Sequence, residues 1–178
     1  MWDIKSDFTG YQMKGISDGS ISAIYRVDDS TDLDRPLFEC RLSAGFPSPT
    51  DGEIEDRINL NRDMILHPDA TYYARISGDS MINEGLWDGC LVAFDRALTA
   101  LDGDIVVACI DNSDFCCKIY RDGHDSDDGR IRLEAANPSY APIYISPEME
   151  LRITGLVTFS VHWHAKRYGR RFQLNRLQ

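Results

Sequence analysis

Between residues 71 and 161 the chain is a succession of short runs rich in β-branched and aromatic residues, at 71–76, 91–94, 104–110, 115–120, 131–133 and 151–161, separated by Gly and Asp turns. The runs recur at roughly 8 to 12 residues, the spacing of closed or sandwiched sheets. Such residues fit a pleated, half-buried surface better than a helix. The body is therefore predicted to be mainly β. One stretch departs from the pattern: over 53–66 the apolar positions Ile54, Ile58, Met64 and Ile65 suit one or two short helical turns, ending at His67-Pro68. The segment 121–130, with its Asp-Gly and Asp-Ser-Asp-Asp-Gly strings, reads as an acidic hairpin loop without the spacing of a calcium loop.

Ahead of the body lies an acidic N-terminal arm, expected to be weakly structured. Its one apolar alternation, Ile21-Ser22-Ala23-Ile24-Tyr25-Arg26-Val27, predicts a strand. It has no pattern for the helices of a helix-turn-helix domain. Beyond Pro36 comes Ala44-Gly45-Phe46-Pro47-Ser48-Pro49-Thr50-Asp51-Gly52. Proline's fixed torsion keeps the residues before it extended. An extended, exposed segment of this kind is what a peptidase binds.

Charge narrows the function further. The chain carries 19 Lys+Arg against 29 Asp+Glu, a net charge of -10. A nucleic-acid binder normally displaces counterions with a basic face, so strong direct DNA binding is not expected. The exception is the C-terminal tail, 162–178, where Lys166, Arg167, Arg170, Arg171 and Arg176 stand without any acid. That tail reads either as a solvated strip lying against the acidic body or as a small docking element for nucleic acid or a partner. No run approaches the ~20 apolar residues that span a bilayer, and the first residues lack the features of a signal peptide. A cytoplasmic protein is expected. Cys40, Cys90, Cys109, Cys116 and Cys117 are odd in number and lack CxxC spacing, which predicts reduced thiols without a disulfide or a metal. His67, His124, His162 and His164 do not make up a metal set, and no cofactor is expected.

Two places can carry chemistry. Ser77-Gly78-Asp79-Ser80-Met81 is a small-residue turn directly after a strong strand, placed to expose a serine hydroxyl beside backbone N–H groups able to form an oxyanion hole. Taken alone, Gly-Asp-Ser is also an ordinary turn. Lys118 is a single charge inside the run 115–120, with Cys116 and Tyr120 on its own face of the strand. A lysine so placed ordinarily reaches solvent from an edge strand. Chemistry would require its amine to be neutral, which only an apolar, desolvated setting supplies. A Ser-Lys dyad is then a coherent variant of the serine-triad logic.

These residues belong to a larger pattern. Ala44-Gly45-Phe46-Pro47-Ser48-Pro49, His67-Pro68-x-Ala70-Thr71-Tyr72, Ser77-Gly78-Asp79-Ser80-Met81-Ile82, Asp88-Gly89, Gly103-Asp104-Ile105-Val106, Phe115-x-x-Lys118 and Asn137-x-x-Tyr140-x-Pro142-Ile143 follow one another in order. Over about residues 37–160 this resembles the LexA/UmuD family of self-cleaving SOS-response proteins, and its UmuD branch most of all. Together the blocks outweigh the ordinary readings of Ser80 and Lys118.

The resemblance implies a catalytic domain of short, strongly bent sheets with few short helices, preceded by an extended arm. It implies Ser80 as nucleophile and Lys118 as general base and later acid. The backbone amides of Asp79 and Ser80 would form the oxyanion hole, and Ala44-Gly45 would be the scissile bond. The chain then divides into an arm, 1–44, removed by self-cleavage, a Ser-Lys peptidase domain, 45–161, and the basic tail, 162–178. The implied partners are the RecA filament on single-stranded DNA, a UmuC-like Y-family polymerase served in error-prone translesion synthesis, and a second copy in a homodimer. The alternative output is a transcriptional regulator or corepressor of the DNA-damage response. Residues 1–44 hold 8 acidic and 5 basic groups, so the remainder would still carry -7. Cutting cannot turn the chain into a basic DNA binder; it must act by changing which surfaces are covered.

Overall fold

The computed structural model describes residues 21–26, 35–38, 54–112, 114–126, 129–162 and 164. Ten strands and one short helix make up the described chain: β1 (Ile21–Arg26), β2 (Arg35–Phe38), β3 (Ile54–Ile58), α1 (Leu60–Met64), β4 (Thr71–Ile76), β5 (Leu91–Asp95), β6 (Ile105–Ile110), β7 (Asp114–Arg121), β8 (Arg132–Glu134), β9 (Ile143–Tyr144) and β10 (Leu151–Val161). The fold is mainly β, and every run expected to be a strand between 71 and 161 forms one within a residue or two of its predicted ends.

Eight strands form one antiparallel sheet in the order β1-β4-β5-β10-β6-β7-β8-β9, while β2 and β3 pair separately. The sheet curls: β1, at one edge, touches β7, which stands sixth in the order. Curling explains the burial. Val106, Val107, Ala108 and Cys109 of β6 are all buried although successive side chains point to opposite faces. One face packs Ile76, Met81, Leu86, Val92, Phe94, Val107 and Cys117 into the larger core, and the other packs Val106, Ala108, Cys116 and Leu133 into a smaller one.

The long strand β10 holds the two halves together. Its first half pairs with β6 and its second with β5, with register shifts between Ile153 and Gly155 and between Val157 and Phe159. Gly155 sits where the strand changes partner. A Cβ there would lie 2.8 Å from the Asp95 carbonyl oxygen and 2.8 Å from the Phe94 ring. Only glycine lets β10 pass this close to β5.

The N-terminal arm contributes to this body. The strand expected at 21–27 forms as β1 and pairs antiparallel with β4, Ile24 opposite Ala74 and Arg26 opposite Tyr72. Ile21 and Ile24 are buried in the larger core. Burial of an isoleucine side chain contributes roughly 1.5 to 3 kcal/mol, so the arm adds to stability rather than merely trailing from the sheet.

Helical turns were expected across 53–66, and here the structure differs in part. Ile54–Ile58 is the strand β3, and the helix is confined to Leu60–Met64. Positions four apart share a face in a strand as well as in a helix, so the spacing of Ile54 and Ile58 does not separate the two. The helix starts at Asn59, whose side chain accepts from the N–H groups of Asn61 and Arg62 while Asp63 accepts the Asn59 N–H at 2.8 Å. Strand β9 has only two residues, too few to leave a periodic signature, and was not anticipated.

The approach of β10 to β5 gives a direct test. Gly155→Ala forces an extra methyl against backbone and should destabilise the chain by about 1 to 3 kcal/mol, read as a lowered urea midpoint. An unchanged midpoint would show that β10 does not need the close approach.

Candidate active site

Strand β4 ends at Ile76, and the chain turns through Ser77-Gly78-Asp79-Ser80 into a single 3₁₀ turn, Ile82–Glu84. Gly78 has φ +84°, a conformation that favours glycine. Its N–H donates to the Asp88 carboxylate at 2.8 Å, and the Gly89 N–H donates to the Ile76 carbonyl at 2.9 Å. The Asp88-Gly89 block is thereby explained: it clamps the base of the serine turn.

A second clamp comes from the far end of the sheet. The Asn137 N–H donates to the Ser80 carbonyl at 2.9 Å, and its side-chain amide donates to the Asp79 carbonyl at 3.3 Å. The Tyr140 hydroxyl donates to the Asp79 carboxylate at 2.5 Å. From the turn itself, Asn83 reaches back to the Ala136 carbonyl at 2.7 Å. Asn137 and Tyr140 belong to one of the ordered blocks, but their task as braces of the serine turn comes from the fold alone, since nothing local in the sequence links positions 137–140 to 77–80.

Lys118 approaches from β7. That strand lies between β6 and β8, so this lysine is not on an edge, and it is 3% exposed rather than reaching solvent. Directly opposite it on β6 is fully buried Val106, and Cys116 on its own strand is buried in the same apolar layer. Past Lys118, β7 is tied down by Arg121, whose guanidinium donates to Glu134 at 2.8 Å and to Asp102 at 3.1 Å. The Lys118 Nζ donates to the Ser80 Oγ at 2.8 Å, joining side chains 38 residues apart. Ser80 itself is 1% exposed. A hydroxyl and an amine are thus held together in a desolvated place.

The neighbouring thiol is no competitor. Burial pushes Cys117 up to about 12, a rise that the nearby Lys118 charge only partly opposes. It stays protonated at neutral pH, and the thiolate is the nucleophilic form. Cys90, Cys109, Cys116 and Cys117 are buried and take no part in a disulfide, and Cys40 lies outside the described residues. His67, from the His67-Pro68 block, bonds through Nδ1 to buried Asp95 at 2.7 Å, while Thr71 donates to the His67 carbonyl at 2.8 Å. This pair ties the entry of β4 to the end of β5. Ala44 and Gly45, and the basic residues of the tail, also lie outside the described residues. Among the described residues no helix is long and apolar enough to cross a membrane.

A buried serine–lysine pair on a curled antiparallel sheet is an arrangement suited to a serine peptidase. The chain belongs to the peptidase S24-like family, whose model matches residues 36–158. It is 40% identical to Protein MucA of Salmonella typhimurium over 132 residues, covering 72% of this chain and 85% of that protein. To Protein SamA of Salmonella typhimurium strain LT2 it is 41% identical over 127 residues, covering 71% and 84%. LexA repressor 2 of Xanthomonas axonopodis pv. citri is 38% identical over 116 residues, 65% of this chain and 52% of the repressor. These relatives place the chain among UmuD-like SOS proteins, as its ordered blocks led one to expect.

The Cys117 thiol makes a pH-dependent contribution to folding. The folded state favours its protonated form, so the contribution is complete below about 9 and is lost as pH rises toward about 12. Followed by thermal unfolding in the Ser80→Ala chain, stability should fall across this range, and Cys117→Ala should flatten the fall by up to about 1.4 kcal/mol per pH unit. Parallel curves for the two chains would show that the thiol does not titrate with unfolding.

Proposed function

We propose that this chain cuts itself at Ala44-Gly45, with Ser80 as nucleophile and Lys118 as base. The observation that carries the reading is the 2.8 Å contact between Lys118 Nζ and Ser80 Oγ, with both residues buried. In its neutral form the amine accepts the hydroxyl proton as Oγ attacks the Ala44 carbonyl carbon. The backbone amides of Asp79 and Ser80 would hold the resulting oxyanion. The protonated Lys118 then gives its proton to the departing Gly45 amine, leaving residues 1–44 as an ester on Ser80. A water deprotonated by Lys118 hydrolyses that ester and restores the dyad.

Ala44 offers a small side chain, Gly45 lets the backbone come close to Ser80, and Pro47 keeps the following residues from coiling into a helix. Substrate and enzyme share one chain, so effective molarity replaces affinity. The rate is then limited by how often the bond reaches the buried dyad. A RecA filament on single-stranded DNA that binds the competent arrangement preferentially would raise that population without adding a catalytic group.

The processed chain, 45–178, would serve as a homodimeric accessory subunit of a UmuC-like Y-family polymerase in error-prone translesion synthesis, in the cytoplasm. The match to 85% of MucA and 84% of SamA supports this output. The match to LexA repressors keeps a transcriptional regulator or corepressor as the second reading, and it spans only about half of the repressor's length.

Incubation of the purified chain at rising alkaline pH tests the chemistry. Fragments ending at Ala44 and beginning at Gly45 should appear, at a rate climbing about tenfold per pH unit until the amine is neutral. Ser80→Ala and Lys118→Ala should abolish them, and Lys118→Arg should not restore them because a guanidinium stays protonated. No cleavage even with RecA, a nucleoside triphosphate and single-stranded DNA would overturn the reading. Gly45→Glu should block cutting while leaving the unfolding midpoint nearly unchanged; wild-type rates in that variant would place the bond elsewhere.

A further inference from the structure

The bond assigned to cleavage lies between β2 and β3 in the chain, and both strands N-terminal to it are paired with strands C-terminal to it. Strand β1 is hydrogen-bonded along β4, and β2 along β3. Ile21 and Ile24 are 1% and 4% exposed, packed in the same core as Ala74, Ile76, Met81 and Cys117. Met81 and Cys117 are the chain neighbours of Ser80 and Lys118, and β1 also touches β7, the strand that carries the lysine. The family match begins at residue 36, so β1 lies outside it.

We infer that the edge of β4 is a strand-binding site whose ligand is residues 21–26 of this same chain, and that cutting at Ala44-Gly45 loosens this ligand without expelling it. The inference rests on the proposed cleavage only for the position of the cut. Hydrolysis of one peptide bond between β2 and β3 breaks no ladder hydrogen bond and uncovers no isoleucine. It changes the connection: before the cut β1 is tethered to β4 through residues 27–70, with the effective concentration that a covalent linker gives, and afterwards it is held by affinity alone. Processing would therefore have two stages, a chemical one set by Ser80 and Lys118 and a physical one set by protein concentration and by whatever competes for the edge.

Release would have a defined structural consequence. Strand β4 would lose its outer neighbour and become the edge of the main sheet, with unpaired backbone groups and the apolar side chains that Ile21 and Ile24 now cover. The segment that fits this edge is an antiparallel strand with two apolar residues three apart, directed into one core, as in Ile21-Ser22-Ala23-Ile24. The occupant this predicts is β1 itself, from its own fragment or from a second, uncut copy of the chain. Exchange between copies then becomes possible once the tether is cut, as it does in domain swapping.

The test uses the full chain cut in two ways. One sample is wild type after self-cleavage. The other is the Ser80→Ala chain carrying a site-specific protease sequence in place of residues 46–51, nicked by that protease. In both, the N-terminal fragment carrying β1 and β2 should co-elute with the remainder on gel filtration at tens of micromolar and separate on dilution. Ile24→Ala should lower its retention at least tenfold, and Ile21→Asp with Ile24→Asp should abolish it. A fluorescent peptide spanning residues 17–30 should bind the nicked protein after dilution and be displaced by unlabelled peptide. In the uncut chain, Ile24→Ala should speed hydrogen exchange at the β4 amides while leaving β6 unchanged, a readout that does not require the variant to survive nicking. Immediate and complete loss of the fragment from nicked Ser80→Ala protein at every concentration would overturn the inference. If wild type does not cut but the nicked chain keeps its fragment, the peptidase reading fails and the strand-binding site stands.

Discussion

Placing a lysine amine and a serine hydroxyl together inside an apolar core is the constraint around which the rest of this structure is arranged. Burying either group alone carries a desolvation cost that an unpaired polar group cannot recover. The 2.8 Å contact offsets part of that cost for both. It holds only while two distant pieces of chain are kept in register. The serine turn is clamped from below by Asp88 and from the side by Asn137 and Tyr140. The lysine strand is held between β6 and β8 and anchored beyond the site by Arg121. These clamps and the candidate chemistry therefore lie in one place.

This arrangement separates reactivity from access. In the proposed reading, a dyad that is almost wholly covered is closed to passing peptides, and a bond in the same chain would reach it by rearrangement. An enzyme so built would be controlled by the population of one conformation rather than by substrate supply. The acidic surface fits the same logic. A chain of net charge -10 has little to gain from direct attraction to DNA, which agrees with the proposed dependence on a protein that holds DNA.

The N-terminal segment adds a second layer. Its composition suggests a detachable acidic arm, yet its one apolar alternation completes the main sheet and fills part of the larger core. Breaking a covalent connection and uncovering a surface are then different events with different energies. The small two-stranded sheet of β2 and β3 reinforces the distinction, since it too joins the two sides of the connection in which Ala44 and Gly45 lie.

What the sequence determined by itself is what depends on neighbours along the chain. Strands 71–76, 105–110 and 151–161 are legible because alternation and turn residues act locally, and the serine turn is legible because Gly78 and its small neighbours write a tight turn directly. The ordered blocks named Ser80 and Lys118 together, although nothing local showed that they touch. Where two local codes coincide, as at Ile54 and Ile58, pattern reading took a strand for a helix. Only the tertiary structure decided that β10 inserts between β5 and β6, that β1 belongs to the body, that Asn137 and Tyr140 brace the serine turn, and that Lys118 is interior rather than on an edge. The reason is the order of strands in the sheet. Neighbours there are far apart in sequence, so which groups are buried and which meet follows from packing the whole sheet into one curled core.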